Sequence, residues 1–202
     1  MITTLLLTLL AYLIGSISFA VIVSRAFGLP DPRSYGSRNP GATNVLRTGR
    51  KPAALLTLLG DGVKGWVAVV IAARFAQPAL ADVTQAAAAV AVVVGHMYPV
   101  FFRFEGGKGV STALGVLFAL NVYVALGAMA TWIVMAVFFR ISSLSALVSA
   151  AFAPFFTLFI YKDPAAPIFI CVATVSALLV WRHKTNIRNL IAGTEGRLGK
   201  SG

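Results

Sequence analysis

Charged side chains are scarce in this chain. Asp, Glu, Lys and Arg make up 11% of its 202 residues, whereas soluble domains contain about a quarter. Hydrophobic residues make up 58%, and the mean hydropathy is +0.86. Apolar runs long enough to cross a bilayer recur along the sequence, which predicts several transmembrane helices. The low charge therefore excludes an ordinary soluble domain.

Side chains that bind metals or form disulfides are equally scarce. The one cysteine, Cys171, lies inside an apolar run, and we expect it to serve in packing. With two histidines and no Cys/His cluster, the sequence predicts no metal site and no cofactor. The apolar runs also lack the alternation of polar and apolar residues that is typical of transmembrane β-barrels.

Basic residues outnumber acidic ones, 17 to 6, and give a formal net charge of +11. We expect no nucleic acid partner, because the cations lie in loops that flank apolar runs. Cations in such loops are typical of the cytoplasmic side of a membrane protein. The sequence therefore predicts an all-α polytopic membrane protein with one domain, residues 1–202.

The predicted spans follow the apolar runs. The N-terminal run has no basic segment before it and no small-residue cleavage site after it, so we expect it to remain as the first span. A further stretch of 30 residues, Val110–Phe139, has almost no charge. The other predicted spans are Ile2–Val23, Ala53–Ala76, Val83–Val100, Ser142–Tyr161 and Ala165–Trp181.

The distribution of cations decides how Val110–Phe139 is divided. Arg25–Lys51 carries six Lys and Arg residues, Arg103 and Lys108 follow, and Arg182–Lys200 carries five, so these segments should share the cytoplasm. An even number of spans must then separate the last two segments. We expect two short spans with a break near Leu120-Asn121, where the stretch has its one amide. The prediction is seven spans, with the N-terminus outside and the C-terminus cytoplasmic.

Three polar segments interrupt the apolar runs, and the first is Ser37–Arg47. Its Asn39-Pro40-Gly41 tripeptide predicts a turn. Ser37 and Asn44 offer short donors, and the guanidinium of Arg47 suits phosphate oxygens. We expect the segment to bind an anion, partly through backbone amides. Nearby cations such as Arg33 and Arg50 are expected to act only in membrane orientation.

The second polar segment is Glu105-Gly106-Gly107-Lys108-Gly109, directly before a new span. Glycines permit close approach of the backbone, and the N-terminus of the following helix offers free N–H groups to an anion. Lys108 adds the formal charge. We therefore predict phosphate binding by Gly106, Gly107, Lys108 and Gly109. The segment is not a nucleotide P-loop, because Phe stands at position 102 and Gly follows Lys108.

The third polar segment, Arg182–Arg188, follows the last span. His183 and Asn186 are three residues apart and share a face if the helix continues. His183 has the stronger claim to a functional role, because Arg182, Asn186 and Arg188 surround it. Glu195 is expected to position this cluster through an ion pair. The other histidine, His96, is interpreted as a hydrogen-bonded structural residue.

Asp61 and Lys64 are charged residues inside the second apolar run. Charges within a membrane span indicate function by default. Their spacing of three also allows a self-neutralising pair, and we favour this structural pairing over catalysis.

Taken together, Ser37–Arg47, Gly95-His96 through Val110, and Arg182–Glu195 resemble the three signatures of the bacterial acyl-phosphate:glycerol-3-phosphate acyltransferases. The resemblance extends over nearly the whole chain in length, span order and motif spacing. It differs at Arg38, where many members have Gly. The resemblance implies that Ser37, Arg47, Lys108, His183 and Asn186 contact glycerol 3-phosphate.

The resemblance also implies an activity and a location. Such an enzyme is a multi-pass protein of the bacterial cytoplasmic (inner) membrane, with its active site at the cytoplasmic face and membrane lipid around it. It transfers a fatty acyl group from acyl phosphate to the 1-hydroxyl of glycerol 3-phosphate and yields lysophosphatidic acid and phosphate. We expect His183, Lys108 and Arg47 to serve catalysis, without an acyl-enzyme intermediate. The choice of acyl phosphate over acyl-coenzyme A rests on the resemblance alone.

Two other function classes remain open at this stage. A transporter of phosphorylated molecules or anions would place polar groups at broken helices near the midplane and usually show inverted halves. The polar segments instead flank the spans, and no inverted repeat is visible. A scaffold protein would leave the glycine-lysine and His/Asn clusters unexplained.

Overall fold

The computed structural model describes residues 1–198, and the regular secondary structure in this part of the chain is all helical, with no β-strand. Two short 3-10 helices, Pro78–Leu80 and Val100–Phe102, form the two ends of the third long apolar segment, Pro78–Phe102. The ten α-helices are α1 (Ile2–Gly15), α2 (Phe19–Ala26), α3 (Ala42–Leu46), α4 (Lys51–Phe75), α5 (Ala81–Met97), α6 (Val110–Leu120), α7 (Val122–Phe139), α8 (Ser142–Tyr161), α9 (Pro167–Arg182) and α10 (Lys184–Ile191).

Five segments are long and apolar enough to cross a membrane, and α9 with α10 forms a sixth if this bent pair is counted. The helices α1 and α2 together form the first of these segments, Ile2–Ala26. The remaining apolar helix, α6, has 11 residues and is about 16 Å long, roughly half the thickness of the hydrocarbon core. The coarse prediction of a multi-pass helical membrane protein is confirmed.

The first predicted span is not one continuous helix. Its helical pattern stops after Gly15 and resumes at Phe19, with Ser18 in an extended conformation. The carbonyl oxygen of Ile17, inside this break, accepts a hydrogen bond of 2.6 Å from Lys64 Nζ on α4. The side chain that bonds to this free carbonyl is 47 positions away in sequence. The local pattern of α1 and α2 therefore does not reveal the break between them.

The predicted break near Leu120-Asn121 is present. Asn121 has an extended backbone, and its side-chain oxygen accepts hydrogen bonds from Tyr123 N at 2.9 Å and Val124 N at 3.2 Å. Asn121 therefore caps α7 in the manner typical of asparagine. Its amide also donates to the hydroxyl of Tyr161 at the end of α8, so the break is tied to a neighbouring helix.

Small residues bring the helices close together, as is common in membrane proteins. Gly15 of α1 lies against the backbone of Val92 in α5, and Gly115 of α6 lies against the backbone of Gly62 in α4. A Cβ atom at either glycine would collide with the opposing carbonyl oxygen. The main core forms around α5, with buried Val92, Val93 and Met97 at its centre.

Candidate active site

A cavity of about 640 Å³ opens between α6, α7, α8 and α9. Its mouth is polar and includes Ser37, Arg47, Lys108, His183 and Asn186. Its interior is apolar, and representative lining residues are Leu117, Trp132, Ala150, Ala153, Val172 and Val175. The structure thus brings residues from all three polar segments to the entrance of one apolar slot.

The loop before α3 is organised by Asn44, which is 2% exposed. Its side-chain oxygen accepts a hydrogen bond from Ser37 N, and its amide nitrogen donates to the carbonyls of Pro32 at 2.7 Å and Tyr35 at 3.2 Å. Both N–H donors of the amide are used. The sequence analysis predicted that Asn44 contacts substrate, but the structure directs its donors to the loop. Asn44 therefore orders the loop that presents Ser37.

Arg47 follows α3 and is exposed at the mouth. A Cβ atom built on Gly36 would lie 3.1 Å from its Cδ, and one built on Gly196 would lie 3.4 Å from its Nη2. The guanidinium therefore lies between the first polar segment and the segment after α10. Neighbouring Arg33 behaves differently, because its guanidinium is paired with Asp31 at 2.7 Å.

The glycine-lysine turn, residues 106–109, lies against the end of α5. Gly107 N donates to the carbonyl oxygen of His96 at 3.1 Å. Cβ atoms at Gly106 and Gly107 would collide with His96, so both positions need glycine. Gly109 has a φ of +86° and is the N-cap of α6. The turn therefore delivers the N-terminus of α6 and the ammonium group of Lys108 to the mouth.

The surroundings of Lys108 reduce its proton affinity. Burial lowers the pKa of Lys108 from the usual value of a lysine, and the carboxylate of Glu195 partly opposes this shift. The positive charges of Arg182 and Arg47 lower the pKa further. A cluster of cations that is only partly neutralised by one carboxylate favours an incoming anion.

Arg182, the last residue of α9, joins the third polar segment to the second. Its Nη2 donates to the carbonyl of Gly106 at 2.9 Å and its Nε donates to the carbonyl of Gly107 at 3.2 Å. The guanidinium also lies 5.0 Å from the ring centroid of Tyr98. Sequence analysis placed Arg182 in the third polar segment but did not predict this pair of hydrogen bonds, which we call the Arg182 fork. Its partners are backbone carbonyls far away in sequence.

His183 lies at the bend between α9 and α10, which meet at 59°. His183 ends α9 and is the N-cap of α10, and Asn186 lies in the first turn of α10. Both residues line the cavity. His183 is 2% exposed, and its Nδ1 is 2.7 Å from the carbonyl oxygen of Leu179. Because a carbonyl can only accept, Nδ1 carries the proton, and in the neutral ring Nε2 is left as an acceptor.

Glu195 does not form the ion pair that the sequence analysis expected. Within residues 1–198 it has no Lys or Arg nitrogen within 4.0 Å, and its Oε1 instead accepts hydrogen bonds of 2.6 Å from Asn186 Nδ2 and Ser143 Oγ. The carboxylate thus links α8 to α10 and orients Asn186. Ser143 is a contributor that sequence analysis missed, because an isolated serine at a helix start carries no distinctive signal.

The predicted pairing of Asp61 and Lys64 is confirmed, with Lys64 Nζ 2.9 Å from Asp61 Oδ1. His96, interpreted as a hydrogen-bonded structural residue, joins this pair. Within residues 1–198 no group of three or more His, Cys, Asp or Glu side chains could hold a metal ion.

The fold and site define a class of protein: a helical membrane protein in which a cationic, glycine-rich mouth opens on an apolar slot. A family model described as "Glycerol-3-phosphate acyltransferase" matches residues 5–193. The chain belongs to this family.

Named relatives and solved structures agree with this assignment. The glycerol-3-phosphate acyltransferase of Burkholderia multivorans (strain ATCC 17616 / 249) is 59% identical over 195 residues, which cover 96% of this chain and 91% of the relative. That of Burkholderia vietnamiensis (strain G4 / LMG 22486) is 60% identical with the same coverage. The crystal structure of PlsY (YgiH), an integral membrane glycerol 3-phosphate acyltransferase, in its glycerol 3-phosphate form has a TM-score of 0.89 and 38% identity, covering 97% of this chain and 96% of that chain. Its lysophosphatidic acid form has a TM-score of 0.87 and 37% identity, covering 97% and 95%.

Proposed function

We propose that this protein transfers a fatty acyl group from acyl phosphate to the 1-hydroxyl of glycerol 3-phosphate, releasing lysophosphatidic acid and phosphate. Membership of the family makes the chain an acyltransferase that acts on glycerol 3-phosphate. The observation that carries the proposal is the cation-rich mouth at the entrance of the apolar slot. This arrangement suits a reaction between a small soluble phosphate and a lipid chain, and the whole chain acts as one membrane-embedded domain.

The phosphate of glycerol 3-phosphate binds between the first loop and the glycine-lysine turn. Arg47 and Lys108 provide the charge, and Ser37 and Asn186 provide polar contacts. Charge-assisted hydrogen bonds from guanidinium and ammonium groups are stronger than those of neutral donors. The free N–H groups at the start of α6 add to this site, and Gly106, Gly107 and Gly109 shape it.

The acyl chain lies in the apolar slot. From Ser142 at the mouth to Ala153 inside, α8 rises by about 16 Å, a depth suited to a long saturated chain. Each methylene group buried in the slot contributes about 0.8 kcal/mol. Small side chains such as Ala150 and Ala153 leave the space for this chain.

Acyl transfer from an acyl phosphate needs no covalent enzyme intermediate, because phosphate is already a good leaving group. The 1-hydroxyl attacks the carbonyl carbon, the C–O bond to phosphate breaks, and the hydroxyl proton passes to a phosphate of the substrates. His183, buried at the mouth of the slot, helps to orient the attacking hydroxyl. Lys108 and Arg47 stabilise the charge that develops on the departing phosphate, and positioning of the two substrates contributes up to about 7–11 kcal/mol.

The topology that fits this reaction has seven spans. The five long segments and the bent pair of α9 and α10 account for six, and short α6 is the seventh. An odd number places the two termini on opposite sides, and the basic residues after α9 favour a cytoplasmic C-terminus. The cationic mouth then faces the cytoplasm of the bacterial inner membrane, in line with the preference of basic loops for that side.

Purified protein supplied with palmitoyl phosphate and glycerol 3-phosphate tests the proposal. We expect release of inorganic phosphate and formation of lysophosphatidic acid in equal amounts. Palmitoyl-coenzyme A in place of palmitoyl phosphate tests the donor, and we expect no transfer from it. Flux of glycerol 3-phosphate across proteoliposomes without acyl transfer would overturn the proposal in favour of transport.

A further inference from the structure

Three ionisable side chains meet inside the helix bundle, behind the glycine-lysine turn. Asp61, Lys64 and His96 are all buried. Lys64 Nζ lies 2.9 Å from Asp61 Oδ1 and 2.9 Å from His96 Nδ1. It also donates to the carbonyl of Ile17 at 2.6 Å. Buried charges are costly even when paired, and the reaction described above does not use this cluster directly.

The cluster fixes the hydrogen-bonding state of His96. The ammonium of Lys64 has three donors and no acceptor, and its three close neighbours are Asp61, Ile17 O and His96. With Lys64 charged, its ammonium donates to His96 Nδ1 and the ring proton is on Nε2. Nδ1 also lies 3.5 Å from Asp61 Oδ1. Lys64 therefore holds the imidazole from one side. Lys64 belongs to α4 and also bonds to Ile17, between α1 and α2.

The opposite side of His96 contacts the turn. A Cβ atom built on Gly107 would collide with His96 Nε2 and lie 2.9 Å from its Cε1. The backbone carbonyl of His96 accepts the hydrogen bond of Gly107 N at 3.1 Å. Both the ring and the backbone of His96 thus support the residue directly before Lys108.

We propose that His96, held in place by Lys64 and Asp61, is a positioning residue that sets the location of Lys108 for phosphate binding. The proposal rests on the proposed function, because it takes Lys108 as a ligand of glycerol 3-phosphate. Arg182 holds the carbonyl side of Gly106 and Gly107 from the direction of α9. His96 provides the support from the direction of α5, so the turn is clamped between the two.

Two variants of His96 separate positioning from general packing. Asn can place a polar atom near the position of Nδ1 and keep the contact to Lys64, but it is too short to reach Gly107. Gln can place its amide nitrogen near the position of Nε2, against the turn. Thr84→Val is the matched control, because Thr84 is also buried in α5 and its hydroxyl hydrogen-bonds to Thr4, far from the turn.

The experiment measures KM for both substrates, kcat, and the thermal stabilisation of each purified variant by glycerol 3-phosphate. For His96→Asn we expect KM for glycerol 3-phosphate to rise about 10- to 100-fold, in line with the cost of a displacement of about 1 Å. KM for palmitoyl phosphate should stay near that of the parent protein. His96→Gln should recover much of the loss, and Thr84→Val should match the parent.

A second variant covers the case in which His96→Asn does not fold. Gly107→Ala places a methyl group against the imidazole, and we expect the same selective rise in KM for glycerol 3-phosphate. In the double variant the shorter Asn side chain leaves space for that methyl group, so the two effects should be less than multiplicative. Full multiplicativity would contradict the contact.

Either of two kinetic outcomes overturns the proposal. One is a KM for glycerol 3-phosphate in His96→Asn and Gly107→Ala that equals that of the parent. The other is an equal rise in KM for both substrates in His96→Asn, His96→Gln and Thr84→Val, which would show a packing effect. If the parent protein transfers no acyl group, the proposed function fails, and stabilisation by glycerol 3-phosphate still tests the positioning: its loss in His96→Asn supports it, and its retention overturns it.

Discussion

At the scale of single residues, Arg38 has the most strained backbone of the first polar segment. Its φ of +54° lies in the left-handed region, which costs a residue with a Cβ atom about 1–2 kcal/mol. Glycine adopts such a value without this cost. The side chain of Arg38 is exposed.

Replacing Arg38 with Gly should therefore stabilise the protein. Release of strain is partly offset by the greater freedom of glycine in the unfolded chain, which leaves a gain of about 0.5–1 kcal/mol. Thermal unfolding in detergent measures it as a higher midpoint. Arg38→Ala is the matched control, since it removes the charge but keeps the Cβ atom. Equal midpoints for the Gly and Ala variants would show that strain at this position is unimportant.

Lys108 makes a prediction about pH. Burial lowers the pKa of Lys108, so its positive charge is lost at a lower pH than that of an ordinary lysine, whose pKa is about 10.4. Binding of glycerol 3-phosphate should weaken as the pH rises through this lowered pKa. In Lys108→Arg the guanidinium stays charged, and the alkaline decline should move to higher pH even if activity at neutral pH falls.

The measurement is the pH profile of glycerol 3-phosphate binding, followed by thermal stabilisation and normalised to neutral pH for each protein. A binding readout avoids the alkaline hydrolysis of acyl phosphate. Superimposable profiles of the parent and Lys108→Arg would mean that another group causes the alkaline decline.

At the scale of helices, the two breaks show what the sequence can reveal. The break between α6 and α7 was predictable because Asn121 is the one amide in a long apolar stretch and caps α7 itself. The break between α1 and α2 was not, because Gly, Ser and Ile are ordinary in membrane helices and the partner of Ile17 comes from α4. Local signals were sufficient where a break is capped locally.

The same distinction holds for the site. The glycine-lysine turn and the His183–Asn186 cluster were predictable from charge and glycine content. The fork from Arg182 to the backbone of Gly106 and Gly107 was not, because backbone carbonyls carry no sequence signal. Asn44 was interpreted as a ligand because a loop asparagine next to cations fits either role, and only its partners distinguish loop structure from binding.

The inner part of α8 makes a prediction about chain length. Ala153 lines the slot about 16 Å from the mouth, so Ala153→Phe should fill the space of the last methylene groups of a long chain. Loss of two buried methylenes corresponds to about 1.6 kcal/mol, or roughly a 15-fold lower kcat/KM for the longest donors. Shorter acyl phosphates should be little affected.

A series of acyl phosphates of increasing length measures this effect. Ala151→Phe is the matched control, because Ala151 lies on the same helix and is exposed on the outside of the bundle. If Ala153→Phe reduces activity with all chain lengths equally, the acyl chain does not reach this part of the slot.

At the scale of the whole molecule, the hydrogen bonds of Arg182 to Gly106 and Gly107 place the second and third polar segments at the same end of the bundle. Glu195 accepts hydrogen bonds from Ser143 and Asn186, which places the start of α8 and the start of α10 at this end too. The loop at Gln77 lies between α4 and α5, at the end of α4 away from Lys51, and Asp163 follows α8 at its end away from Ser142. The two ends should therefore face opposite sides of the membrane.

Cysteine labelling in intact cells tests this arrangement. In a Cys171→Ser background, we expect Gln77→Cys and Asp163→Cys to react with a membrane-impermeant maleimide added from outside, because these exposed positions lie at the end of the bundle away from the cationic mouth. Thr185→Cys in the basic helix α10 and Arg50→Cys directly before α4, both at exposed positions, should react only after permeabilisation, since positively charged segments remain in the cytoplasm. External labelling of Thr185→Cys together with Gln77→Cys would place the end of α9 outside. The cationic mouth would then be cut off from cytoplasmic glycerol 3-phosphate, and the seven-span topology and the orientation of the active site would both be wrong.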